Sequence, residues 1–365
     1  MTITSHLKKI DWLLLSLAVI LTIFGLILLY SLSSSSLNIS FFQRQLTFLL
    51  IGIGLATSLA FLNLKALKSS SLFIFALYFL CILLLVGIFF IGKEVRGAKS
   101  WYPLGSFTFE PVEIVKIVFI LLFAKYFSQR HVEMYQTRHV LLSGVYAALQ
   151  AILVFFQPDF GSAIILIILW LGMMLVSGIK RTHLLSILGI GLLCFLAFWN
   201  FIFTEEQKDR FLTFLDPYMD PTGSGYHILQ SIIAVGSGGI FGKGFSEPLT
   251  QAKLDFLPEA HTDFISATFC EMFGMIGMLI LFSFFFLFLW RLFDIIKILN
   301  DNFSRLLVSG FIILVGSEIF INIAMNIGIL PITGIPLPFL SYGGSSLLSL
   351  FIGIGIIESI KLHSK

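Results

Sequence analysis

The sequence predicts an all-α integral membrane protein: ten transmembrane helices, with one long extracytoplasmic loop between the seventh and the eighth. Three observations lead there. The 365 residues are 58% hydrophobic and only 12% charged, with a mean hydropathy of +1.00, whereas a soluble domain carries about a quarter charged residues. The apolar residues gather into runs of about 20, the length that crosses a bilayer as a helix. Those runs also lack the period-2 alternation of a membrane β-barrel.

Taken in order, the first run is 12–30. It follows Lys8 and Lys9 as a signal peptide would, but it is too long for an h-region and lacks an A-x-A cleavage site, so it reads as a retained span. Runs at 46–63 and 72–92 come next. The segment after them, Lys93 to Glu110, holds Trp101, Tyr102, Phe107 and Phe109, which suits a hairpin at the lipid headgroup level. The fourth span, 112–127, is short and opens on Pro111, a residue favoured in a first helical turn. Spans 139–157 and 161–178 meet at the tight turn "QPDFGSA". Span 184–203 leads into the loop at about 204–262, whose Gly and Pro punctuation predicts a cap over the membrane mouth. The last spans are 263–290, 306–328 and 343–360. The final two are joined by "GILPITGIPLPFLSYGGSS", and such non-helical backbone is tolerated at depth mainly beside a cavity. The whole chain, 1–365, reads as one polytopic membrane domain.

Loop charge orients the spans, because cytoplasmic loops are enriched in Lys and Arg. With the N-terminus inside, Lys8, Lys9, Lys65, Lys68, Lys125, Arg130, Arg138, Lys180, Arg181, Arg291, Lys297, Arg305, Lys361 and Lys365 all fall on the inner side. The outer side holds fewer, and half of those lie in the long loop, which the rule discounts. Both termini are therefore expected in the cytoplasm, in a multi-pass protein of the cytoplasmic (inner) membrane. A net charge of +3 gives no reason to expect nucleic acid. Cys81, Cys194 and Cys270 sit in apolar runs and read as small hydrophobes.

Three constellations carry chemistry. "LPEAHTDFISA" places Glu259, His261 and Asp263 at the outer lip of the eighth span. A helix cap needs one such residue, not three, and a partly desolvated carboxylate is suited to general-base work. "FEPVEIVKI" sets Glu113 and Lys116 at i and i+3 on one face of the fourth span. There they read either as a structural ion pair or as the positive charge serving an anionic substrate or a nearby carboxylate. Glu318, Asn322 and Asn326 recur every four residues and form a polar stripe on the ninth span, which reads as an inward wall or as interhelical hydrogen bonding. Asp159, alone, reads as a plain turn residue. The stretch "GSGYHILQSIIAVGSGGIFGKGF" fails the spacing test for a phosphate loop and reads as a Gly-rich turn, with amides available to an anion as the other reading.

Together these pieces resemble the SEDS family, the RodA/FtsW group of bacterial cell-wall polymerases. The resemblance spans almost the whole chain. It rests on "GAKSWYPLGSFTFEPVEIVK", "QPDFGSA", "RFLTFLDPYMDPTGSGYHILQSIIAVGSGGIFGKGF", "LPEAHTDFISA" and "NIGILPITGIPLPFLSYGGSS", in family order. The chain departs from the family pattern at Glu110, where Gln is usual, and at Val112, where Ser is usual.

The resemblance implies a peptidoglycan glycosyltransferase that polymerises lipid II, a disaccharide-pentapeptide on undecaprenyl pyrophosphate, at the outer face of the cytoplasmic membrane. It also implies a class B penicillin-binding protein, a transpeptidase, as partner. Asp263 matches the family's essential aspartate, and Glu113 and Lys116 match its acid and lysine. A β-1,4 link made from an α-linked donor implies one inverting displacement, with Asp263 as base. Lys116 would counter phosphate charge or keep Asp263 ionised, with Arg210 and Lys243 as outer helpers, and Glu113 would orient Lys116. Trp101, Glu259, His261 and Asp159 are the further expected substrate contacts. A retaining enzyme would need a second carboxylate about 5 Å away. A divalent cation, Mg or Mn, could bridge Asp263 and the pyrophosphate, although no ligand set in the sequence demands it. The short tails point to the rod-elongation branch. The alternatives are a division- or sporulation-type (FtsW-like) polymerase and a lipid II flippase.

Overall fold

The structure is a computed structural model, and it describes residues 10–33, 40–95, 98–105, 107–130, 136–201, 203–220, 223–245, 250–254 and 256–363. Lys8, Lys9 and Lys365, which enter the charge argument, lie outside the described residues.

Among the described residues, ten long helices overlap the ten predicted segments, joined by short ones. In chain order they are α1 Trp12–Ser33, α2 Ser40–Phe61, the short α3 Lys65–Ser69, α4 Ser71–Ile91, α5 Pro111–Arg130, α6 Thr137–Phe155, α7 Phe160–Val176 and α8 Arg181–Phe201. The loop that follows holds α9 Glu205–Leu215 and α10 Ser224–Ser237. Then come α11 Ile265–Ile298, α12 Asn302–Asn326 and α13 Gly344–His363. Among the described residues, eight helices are long and apolar enough to cross a membrane by length and composition; α7 is a shorter apolar helix. The remaining long helix, α5, carries Glu113, Lys116, Lys125 and Arg130, so its sequence is less apolar although its surroundings are not.

α5 is the core of the bundle. Its apolar residues lie all round the helix, the pattern of a fully enclosed one, and Pro111–Glu113 and Val115–Phe127 are buried. α12 packs along it and also along α7, α11 and α13, while α4 flanks it on another side. α8, more apolar in sequence than α5, has no buried residue and stands at the periphery.

Three boundaries depart from the sequence reading for physical reasons. α2 starts at Ser40 rather than near 46, because buried Gln45 donates from Nε2 to the Ser341 carbonyl (3.1 Å) and accepts from the Gly343 amide (3.2 Å), which keeps a polar turn helical against the 327–343 loop. α11 runs on to Ile298, past the expected end at 290, and is broken at Gly274 (φ 66°, ψ −167°). The 93–110 hairpin is a three-stranded antiparallel sheet, β1 Lys93–Val95, β2 Ala98–Leu104 and β3 Phe107–Phe109. It is anchored on α4 by the Tyr102 hydroxyl donating to the Leu84 carbonyl (2.7 Å).

The two ends of the bundle differ. At the terminal end, Asp11 pairs with Arg291 (2.9 Å) and Lys361 (2.6 Å), and Ser359 Oγ donates to the Leu62 carbonyl. The opposite end gathers the 93–110 sheet, the 204–264 segment and the 327–343 loop, and the site is built there.

Candidate active site

Asp263 sits in a tight turn leading into α11. Glu259 takes a left-handed conformation (φ 56°), and its carbonyl accepts the amides of Thr262 (3.1 Å) and Phe264 (3.2 Å). Its carboxylate accepts from the Thr262 hydroxyl at 2.9 Å. The N-cap position of α11 falls on Phe264, one residue past Asp263, so the aspartate lies outside the cap position.

The polar stripe on α12 acts on that turn. Asn322 Nδ2 donates to the Asp263 carbonyl (3.0 Å) and to the Ile335 carbonyl (2.8 Å), while its Oδ1 accepts from Ser266 Oγ (2.9 Å). Asn326 Nδ2 also donates to the Asp263 carbonyl (3.0 Å) and to the Asn322 carbonyl (2.8 Å). Asn326 is tied in turn to α10 by Ser231 Oγ, which donates to the Asn326 carbonyl at 2.8 Å. Both asparagines are buried. The peptide bearing Asp263 is thus clamped by two side-chain amides, while the carboxylate itself remains partly exposed. The interhelical reading of the stripe and the inward-wall reading both hold: the hydrogen bonds position the wall.

Opposite the carboxylate runs the broken 327–343 loop. A Cβ at Gly334 (φ 72°) would stand 3.7 Å from Asp263 Oδ2, so the glycine brings bare backbone beside the carboxylate. His261 stacks on Phe41 (4.7 Å between ring centroids), its carbonyl accepts the Tyr342 amide (2.9 Å), and Ser341 Oγ donates to the Thr262 carbonyl (2.6 Å). The turn and the loop are therefore one sewn unit.

Glu113 and Lys116 lie on one face of α5, and both are buried. Lys116 Nζ meets Glu113 Oε1 at 2.9 Å and Glu318 Oε1 at 2.5 Å, bridging α5 to α12, and Ser349 of α13 donates to Glu113 Oε2 at 3.3 Å. Glu318 is one turn below Asn322 on the same helix face. The ion triad and the aspartate clamp thus share α12 as their common support.

Glu110 and Asp159 lie beside that triad. The Trp101 indole hydrogen-bonds the Glu110 carboxylate, and the Glu110 amide donates to Ser345 Oγ (3.0 Å). Burial raises the Glu110 pKa well above the usual carboxylate range, and the nearby charges of Glu113 and Asp159 push it further. Asp159 caps α7 by accepting the Ser162 amide (3.0 Å), and burial raises its pKa too. Trp101 and Asp159 therefore support the wall of the site through Glu110 and α7.

Lys243 pairs with fully buried Glu271 of α11 at 2.6 Å. Glu271 also accepts the Gln251 amide (2.9 Å). The Gly-rich turn is engaged with the same stretch of α11. The amides of Lys243 and Gly244 donate to the carbonyls of Glu271 and Met272, and those of Met275 and Ile276 donate to the Gly239 and Ile240 carbonyls. These bonds satisfy the backbone freed where α11 breaks, so those amides do not form an anion cradle. Arg210 belongs to α9, and its side chain lies outside the described residues.

A family model described as "Cell cycle protein", covering FtsW, RodA and SpoVE, matches residues 11–365. The chain belongs to this family. Its relatives in the FtsW/RodA/SpoVE family include the peptidoglycan glycosyltransferase MrdB of Escherichia coli K12, 39% identical over 293 residues that cover 79% of this chain and 78% of the relative. A probable peptidoglycan glycosyltransferase FtsW of Geobacter sp. strain M18 is 36% identical and covers 97% of both chains. The fold matches a chain of a peptidoglycan synthase complex described as coordinating polymerization and crosslinking, with a TM-score of 0.82, 28% identity and coverage of 98% of this chain and 99% of that one. It also matches the rod shape determining protein RodA of Thermus thermophilus, with a TM-score of 0.71, 26% identity and coverage of 97% of both.

In this FtsW/RodA/SpoVE member, sequence reasoning missed Glu271, Ser341 and the backbone role of Gly334. Glu271 carried a signal, an acid two turns inside an apolar run; the hydrogen bonds of Ser341 carried none. Among the described residues, no group of three or more His, Cys, Asp or Glu side chains could hold a metal ion. Asp263 is the candidate residue through which a divalent cation would meet the pyrophosphate, and the cation would supply positive charge there.

Proposed function

We propose that the protein is a peptidoglycan glycosyltransferase that polymerises lipid II at the outer face of the cytoplasmic membrane. One observation carries the reading: a single, partly exposed carboxylate whose peptide is clamped by Asn322 and Asn326, at the end of the bundle opposite both termini. With the charged terminal end in the cytoplasm, Asp263 faces the outer leaflet, where no nucleotide sugar exists and the donor must carry its own leaving group.

Asp263 takes the proton of the acceptor 4-hydroxyl as that oxygen attacks C1 of the donor sugar. The C1–O bond to the lipid pyrophosphate breaks with inversion, and the pyrophosphate departs with the electron pair. A general base of this kind contributes about 10² to 10⁴ in rate. Lys116, engaged by Glu113 and Glu318, acts as a positioning residue that locks α5 to the helix carrying the clamp. Lys243 has the same kind of role through Glu271. The MrdB and RodA likenesses favour cell elongation, and the synthase-complex likeness supports a class B penicillin-binding protein as partner.

The test is polymerisation of lipid II by purified Asp263→Ala and Asp263→Asn. Folded variants that make no polymer are expected; polymer at the native rate would remove Asp263 from the chemistry.

A further inference from the structure

A cleft lies away from the candidate active site. α2 packs along α13, and α4 packs along α5. Between these two pairs is a half-open cavity of about 190 Å³, lined by Leu59 of α2, Leu67 of α3, Leu77 of α4, Ile117 of α5 and Ser349 and Ile356 of α13, among others. The one polar side chain among those six, Ser349, is turned to Glu113 and to the Ser346 carbonyl. Water needs two to four polar partners and would find none there. Left empty, the lining would forfeit its dispersion contacts on one side. An apolar chain is what fits.

The mouth of the cavity has a charge of definite sign. α3 closes its terminal end, and Lys68 follows the lining residue Leu67. Lys125 stands one turn beyond the lining residue Leu121 on the same face of α5. Lys125 Nζ donates to the Lys68 carbonyl, so the two lysines share one corner. Their nearby acid is Asp301, which pairs with Lys68 at 3.1 Å but also accepts the amide and hydroxyl of Ser304 as the cap of α12. The Lys68 side chain stays 55% exposed in that pair, open to a second anion.

We propose that this cleft is a binding site for an anionic phospholipid of the leaflet at the terminal end, with one acyl chain in the cavity and the headgroup phosphate against the exposed Lys68, whose carbonyl the buried Lys125 holds. The lining on α5 runs from Ile114 to Leu121, about 10 Å of helix at 1.5 Å per residue, which lies within the roughly 15 Å of one leaflet's core. A bound chain completes the packing of α5 on the face next to Glu113 and Lys116. The proposal does not depend on the glycosyltransferase reading.

The test is native mass spectrometry of the full chain in detergent, titrated with phosphatidylglycerol or phosphatidylethanolamine of identical acyl chains. The native protein retains phosphatidylglycerol severalfold better. Lys68→Ala lowers that retention about fivefold, the worth of one cation at a membrane surface. Leu77→Phe, and independently Leu59→Phe from the other wall, fill the cavity and lower retention of both lipids, with a thermal melt showing that each variant is folded. Equal retention of the two lipids by the native chain overturns the proposal, as does native-like retention by both filled variants.

Discussion

At the residue scale the site depends on a carboxylate whose backbone is fixed and whose side chain is not buried. Asp263→Asn keeps the size and loses the base, so its polymerisation rate should fall by about 10² to 10⁴ with an unchanged melting temperature. Gly334→Ala tests the bare backbone facing it. A side chain at φ 72° costs about 1–2 kcal/mol, and relief of that strain moves the loop from Oδ2. The expected result is a roughly tenfold slower enzyme, read in the same lipid II assay. Glu110 offers a test by pH. Its folded pKa lies above the unfolded one, so the native state binds the extra proton. Stability is then highest below the ordinary carboxylate range and falls as pH rises through that range toward the raised value. Melting temperature measured against pH should show that slope in the native protein, and Glu110→Gln should flatten it.

At the element scale the decisive feature is a helix that breaks where another segment can repair it. α11 interrupts its ladder at Gly274, and the 238–244 turn supplies the missing partners. A Cβ at Gly274 would lie 2.3 Å from the Gly242 nitrogen and 2.5 Å from the Ile240 carbonyl oxygen. Gly274→Ala should therefore lower the melting temperature by several degrees or prevent folding, whereas Gly189→Ala in peripheral α8, where a Cβ meets nothing within 4 Å, should leave it unchanged. None of this was legible in the sequence. Gly-rich turns look alike whether they are flexible, cradle an anion or mend a helix, and only the hydrogen-bond partners tell them apart. The stripe of Glu318, Asn322 and Asn326 was legible as a polar face, because its period of four survives any tertiary arrangement.

At the scale of the whole molecule, the buried ion triad joins α5 to α12 and so couples the bundle core to the aspartate clamp. Lys116→Met would strand two carboxylates away from water. Breaking a buried pair by removing one partner costs about 3–5 kcal/mol, so this variant should lose both stability and activity. The double change Lys116→Met with Glu318→Gln should recover part of the stability in a thermal melt. The terminal end has its own anchor. Burial alone would raise the Asp11 pKa, but the hydrogen bonds and charges of Arg291 and Lys361 outweigh it and hold the carboxyl low.

The amino-acid sequence by itself determined the helical segments, apart from ends such as those of α2 and α11, and the small set of polar residues at one end of the bundle. Those properties follow from local apolarity, whose cost in or out of a bilayer is counted residue by residue. The tertiary structure alone decided which of those polar residues act as a group. Asp263 is held by Asn322 and Asn326, 59 and 63 positions away; Lys116 bonds Glu318, 202 positions away; and Lys243 joins the repair of α11. A carboxylate in low dielectric is stable only where its partners are brought to it. That meeting is a property of helix packing, which no single stretch of chain encodes.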